Sequence, residues 1–196
     1  MTNQAPLRIA VLINTPPGNE FWNDVRGSYR DVFDVIAPNA KVDMYDPVFE
    51  GNFPDPQEYG LIVLSGGKAD ASSSEPWAGL EDVKLTEAGM KFFSSRSGVK
   101  TYRLPEFHVR EVAQPGVGFV HLAENHEMFV NKENTVLSFQ AHPEVQPELA
   151  KKMLLEEDDV YNGNLSEREL EGQLARLEQP TDGFEVLRRV IEWARE

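Results

Sequence analysis

Cysteine is absent from all 196 residues. Its absence removes disulfides, thiolate metal sites and any thiol nucleophile supplied by this sequence. Positive charge is also scarce. Nineteen Lys and Arg face 33 Asp and Glu, a formal net charge of −14, which repels phosphate backbones and anionic lipid and offers no basic stripe for counterion release. No nucleic-acid partner is therefore expected, and the acid excess reads as a device for solubility. No apolar run approaches the roughly 20 residues of a membrane-spanning helix. The apolar start of the chain lacks a basic leader and meets Pro16 and Pro17 at once, so it reads as a first core strand rather than a signal peptide. The expectation is a cytoplasmic protein without a membrane partner.

Where hydrophobic residues do concentrate, they do so with clear periods. Residues 7 to 13 (LRIAVLI) form a continuous apolar run rich in β-branched residues, the pattern of a strand covered on both faces in a parallel sheet. Beyond the turn at Pro16 to Asn19, Phe21, Trp22, Val25, Tyr29, Val32, Phe33 and Ile36 recur at helical steps until Pro38 stops them. A short strand at Lys41 to Tyr45 and another at Leu61 to Leu64, ending on Gly66 and Gly67, complete a strand, helix and strand alternation. That alternation predicts an α/β fold with a doubly wound sheet, whose ligands sit at the carboxyl ends of strands. The segment from Lys68 to Lys84 is small and polar and reads as a surface loop. Thr86 is placed to cap a short helix, and strands are expected over Val99 to Leu104, Val117 to Leu122 and Thr135 to Phe139, partly antiparallel. Helices are expected over Pro147 to Glu156, Ser166 to about Leu177, and from Asp182 onward; Ser166 with Glu169 and Asp182 with Glu185 have capping-box spacing. The length suits a single domain over residues 1 to 196, with a helical extension from about 147.

The residues with chemical interest follow the strand TVLSF. His142 and Glu144 are separated by one position, so extended chain points both the same way, and the carboxylate would orient the imidazole for general-base work. A structural histidine with its hydrogen bonds satisfied is the other reading. His121 alternates with Phe119 and reads as structural, and His126 lies in a polar turn. His108, His126, His142 and Glu144 contain no His-x-x-x-His pair, so no metal site is expected.

Several segments taken together resemble the class I glutamine amidotransferases. They are YGLIVLSGG (59 to 67), EPW (75 to 77), VKLTEAGMKFF (83 to 93), FHVREV (107 to 112) and VLSFQAHPEV (136 to 145). The resemblance implies a three-layer, doubly wound mixed sheet. In that family a cysteine on a tight strand-to-helix turn attacks the side-chain amide of glutamine, a histidine relays the proton and a glutamate orients the histidine. It places the last two roles on His142 and Glu144, a backbone oxyanion contact on Gly66 or Gly67, and His108 beside the substrate cleft. The nucleophile has no counterpart. Ala78 to Asp82 directly join segments that the family separates by a strand, the cysteine elbow and a helix, so the central nucleophile strand and helix, on the order of thirty residues, are expected to be deleted. Ser65 and Ser72 to Ser74 lack the Gly-x-Ser-x-Gly surroundings of a serine elbow. Arg110 stands where the family carries an acid, and Glu111 where a histidine is common.

These departures lead to an amidotransferase-like protein without its own cysteine, non-hydrolytic, serving a biosynthetic or nitrogen-metabolism pathway by binding a partner or ligand. Two alternatives stay open. One is a thiol-independent enzyme using His142 as acid or base on a small metabolite; the other is the truncated product of an enzyme that hydrolyses glutamine or γ-glutamyl compounds. No cofactor is implied. A protein partner, a homo-oligomer and a small-molecule ligand all remain open as partners.

Overall fold

The computed structural model describes residues 6–66, 77–93, 98–108, 112, 114–156, 161–162 and 165–196. The chain divides into two compact units, Met1–Ala71 with Leu187–Glu196, and Ser72–Val186.

In the first unit, β1 (Arg8–Leu12), α1 (Glu20–Ile36), β2 (Lys41–Tyr45) and β3 (Leu61–Leu64) alternate along the chain. The three strands are parallel in the order β2-β1-β3. The central position of β1 explains its unbroken apolar run, since Ile9, Ala10 and Val11 are wholly enclosed. Asn19 caps α1 by accepting from the Trp22 amide through its side chain, and Phe21, Val25, Val32 and Phe33 form the buried face. The chain leaves β1 toward β2 on one side, yet β3 lies on the other. The carboxyl ends of β1 and β3 therefore form the switch point at which such sheets hold ligands.

The second unit is built from antiparallel pairs. β4 (Trp77–Lys84) lies against β5 (Thr101–His108), and a second sheet has the order β6 (Phe119–His121), β7 (Met128–Asn131), β8 (Leu137–Phe139). Val83, Leu85, Phe93, Tyr102, Leu104, Leu122 and Met128 form its core with Val186. The helices are α2 (Glu87–Phe92), α3 (Pro147–Glu156), α4 (Glu167–Leu177) and α5 (Gly183–Trp193), whose residues from Leu187 count with the first unit. Thr86 caps α2, and Ser166 with Glu169 forms the expected capping box on α4.

Two readings of the sequence need correction. Trp77 to Lys84 is no surface loop but an eight-residue strand, paired residue for residue with β5 from Trp77 opposite His108 to Lys84 opposite Thr101. Its Gly, Glu and Asp are poor strand formers, and the partner strand with burial of Leu80 and Val83 outweighs that local preference. The strand β7 went unread because its four residues, MFVN, follow directly on the polar turn that holds His126.

Candidate functional site

At the switch point of the first unit, Asn14 secures the end of β3. Its amide donates to Ser65 Oγ at 2.8 Å and its side chain to Ser65 O at 2.8 Å, while Ser65 Oγ donates to Gly66 O at 2.8 Å. The Ser65 hydroxyl is thus spent on holding backbone, which suits a positioned loop and not a nucleophile. Gly66 is exposed at this edge. Gly67, Ser72 to Ser74, Arg110 and Glu111 lie outside the described residues.

His142 and Glu144 belong to the second unit. The strand β8 stops at Phe139, so extended alternation does not bring them together, contrary to the expectation from sequence; a turn closed by the Val145 amide on His142 O at 3.1 Å does. Pro143 between them stiffens that turn. The outcome is the expected contact, with His142 Nδ1 2.9 Å from Glu144 Oε1. Glu144 is buried, and 23% of the His142 side chain is exposed.

The second ring nitrogen has a partner that the sequence did not reveal. His142 Nε2 lies 3.3 Å from Phe107 O, and the His142 amide donates to Pro105 O at 2.8 Å. Further along the same edge of β5, the Asp182 amide donates to Arg103 O at 2.9 Å, and the Arg103 amide donates to Asp182 Oδ2 at 2.7 Å. Pro105 has no amide hydrogen to satisfy. His142 and Asp182 therefore close a strand edge that would otherwise present unpaired carbonyls.

A carboxylate and a main-chain carbonyl only accept hydrogen bonds, so both ring contacts form together only when His142 is the doubly protonated imidazolium. Electrostatics agree. Burial alone would push the imidazole down, but the Glu144 charge and hydrogen bond, the Phe107 carbonyl and the Glu106 charge together raise it above its ordinary value near 6.5.

Glu106 was missed in the sequence. It is buried on β5, with its Oε2 3.4 Å from His108 Nε2. The available signal was its position two residues before His108, which places both side chains on one face of a strand. His108, Glu106, His142 and Glu144 thus form one acid and imidazole group in the second unit, joined through β5. His121 and His126 are elsewhere, with ring centroids 5.0 Å apart and packed against Phe129. Among the described residues no group of three or more His, Asp or Glu side chains is arranged to hold a metal ion, and no helix is long and apolar enough to cross a membrane.

No protein-family model matches the sequence. The glutamine amidotransferase-like protein chyE of Penicillium rubens is 39% identical over 243 residues, covering all of both chains. The chain belongs to the glutamine amidotransferase-like family. A second such protein, chry6 of Gibberella zeae, is 25% identical over 242 residues, with 95% of each chain covered. The fold agrees. A glutamine amidotransferase from Thermotoga maritima aligns with a TM-score of 0.65 at 18% identity, covering 97% of this chain and 98% of that one. A proposed GMP synthase protein from Thermoplasma acidophilum aligns with a TM-score of 0.60 at 13% identity, covering 98% and 96%. The α/β architecture with a parallel sheet is thus that of class I glutamine amidotransferases.

Proposed function

We propose that this amidotransferase-like protein does not itself hydrolyse glutamine, and that it serves a biosynthetic or nitrogen-metabolism pathway by binding a partner protein or a small ligand. One observation carries the reading. Once Glu144 takes Nδ1 of His142, the only nitrogen left for relaying a proton faces Phe107 O at 3.3 Å, in a chain without cysteine. A protonated imidazole bound to acceptors on both sides has no lone pair with which to activate a nucleophile. The buried carboxylate and imidazole then act as a clamp on β5. In this reading Gly66 and Gly67 at the switch point, and His108 beside the clamp, remain as ligand-contacting positions. The test is incubation of the purified chain with glutamine and with γ-glutamyl compounds. No ammonia or glutamate above the blank is expected; turnover lost in His142→Ala would overturn the reading.

A second reading is favoured by length. The alignment with the Penicillium protein runs over 243 residues whereas this chain has 196, so it includes positions at which this chain has no residue. A shortened product of a glutamine-hydrolysing or γ-glutamyl-hydrolysing enzyme accounts for that difference as well as an evolved loss does. Sequencing the transcript across the codons for Trp77 to Val83 separates them, because a longer message encoding a cysteine elbow belongs only to the shortened product.

A further inference from the structure

We propose that the loop from Asp46 to Pro54 in the first unit is a preformed docking surface for a protein whose apolar pocket is rimmed by Lys and Arg. This deepens the binding role proposed above by naming the surface and the partner's chemistry. Val48, Phe49 and Phe53 are 58%, 53% and 66% exposed within six residues of one another. Scattered apolar side chains on a surface need no explanation, but two phenylalanines and a valine on one short loop do.

The loop is also held rigid without their help. Asp46 is its hub: Oδ1 accepts from the Phe49 amide at 2.8 Å, Oδ2 from Arg26 Nη2 at 2.9 Å, and its carbonyl from the Glu50 and Asn52 amides. The Asp46 amide donates to Asn52 Oδ1 at 2.6 Å, and Asn52 Nδ2 donates to Glu50 Oε2 at 2.7 Å. Gly51, at φ +67°, makes the left-handed bend that other residues resist. Arg26 ties the assembly to the end of β1 through Thr15 O at 2.7 Å. A polar network that orders a loop while leaving its aromatic side chains in water lowers the entropy lost when those side chains are later buried. Rigid aromatic anchors of this kind dominate binding energy at protein interfaces.

Charge selects the occupant. Between Lys41 and Lys68 the sequence carries Asp43, Asp46, Glu50, Asp55 and Glu58 and neither Lys nor Arg. Arg8, Lys41 and Arg26 pair with Asp43, Glu58 and Asp46. Glu50 and Asp55 are exposed and flank Phe53, with no salt bridge among the described residues. Such a rim repels a second copy of the chain and an anionic membrane alike, and attracts a basic rim around an apolar pocket.

The test is selection of a random displayed-peptide library on the full chain, with counter-selection on the Phe49→Ser, Phe53→Ser variant, whose circular dichroism and melting temperature are checked against the parent. The expected consensus places an aromatic or aliphatic anchor between Lys or Arg residues. The synthetic peptide should bind the variant at least about thirtyfold more weakly and lose affinity as salt rises. A consensus without basic residues, binding retained by the variant, or an empty selection would overturn the proposal. So would Phe-dependent self-association in sedimentation, or Phe-dependent binding to phosphatidylcholine and phosphatidylserine vesicles. The readout is peptide binding and not ammonia, so the docking surface and the non-hydrolytic reading can fail separately.

Discussion

His142 has an acceptor at each ring nitrogen, and a neutral imidazole satisfies only one of them. Its titration midpoint, followed by proton–carbon NMR, is therefore expected above 6.5, and Glu144→Gln is expected to lower it. A consequence for stability has a definite sign. A histidine whose proton is held more tightly in the folded than in the unfolded chain contributes its full stabilisation below the unfolded value, and loses it as pH rises through the folded value. The stability gap between the parent and His142→Gln should accordingly narrow from pH 6 toward alkaline pH in denaturant titrations. Asp46 has the opposite sign. Burial alone would raise its carboxyl, but the Phe49 amide, Arg26 and the Glu50 amide lower it below the ordinary 3.8, so its contribution is present above that value and fades as pH falls. The contact between His142 and Glu144 was legible in the sequence because two residues suffice to bring them near. The Phe107 carbonyl was not, since a main-chain acceptor 35 positions away carries no side-chain signature.

Among the elements, those that carry their own local signals were readable. The helix α1 announces itself by its apolar stripe and Asn19 cap, and α4 by Ser166 and Glu169. The strand β4 was not readable, because its pairing with β5 and not its composition makes it a strand. The clamp on β5 depends similarly on a close approach that a sequence does not display. A Cβ added to Gly183, at the start of α5, would collide with the Pro143 carbonyl inside the turn that joins His142 to Glu144. Gly183→Ala is expected to cost about 1–3 kcal/mol by overpacking and to shift the His142 ring resonances. Gly89→Ala meets the Leu122 carbonyl instead, so it should destabilise while leaving those resonances in place. Chemical denaturation and the same NMR spectra read both.

At the scale of the whole molecule, the first unit is discontinuous, since Leu187–Glu196 counts with it. Leu187, Val190 and Ile191 are buried in α5, and each aliphatic side chain so enclosed is worth roughly 1.5–3 kcal/mol. Together they match the lower range of a domain's entire stability, about 5 kcal/mol. Truncation after Val186 is expected to abolish cooperative melting of the first unit, followed by hydrogen exchange at the β1 amides. The molecule as a whole also lacks the thiol on which its family's hydrolysis rests. The most direct measurement of that is ammonium released from glutamine labelled with nitrogen-15 in its side-chain amide, followed by NMR over hours with purified full-length protein at high concentration. The expected result is a signal indistinguishable from buffer. Steady labelled ammonium that scales with protein and vanishes in Glu144→Ala would contradict the reading of His142 as a clamp.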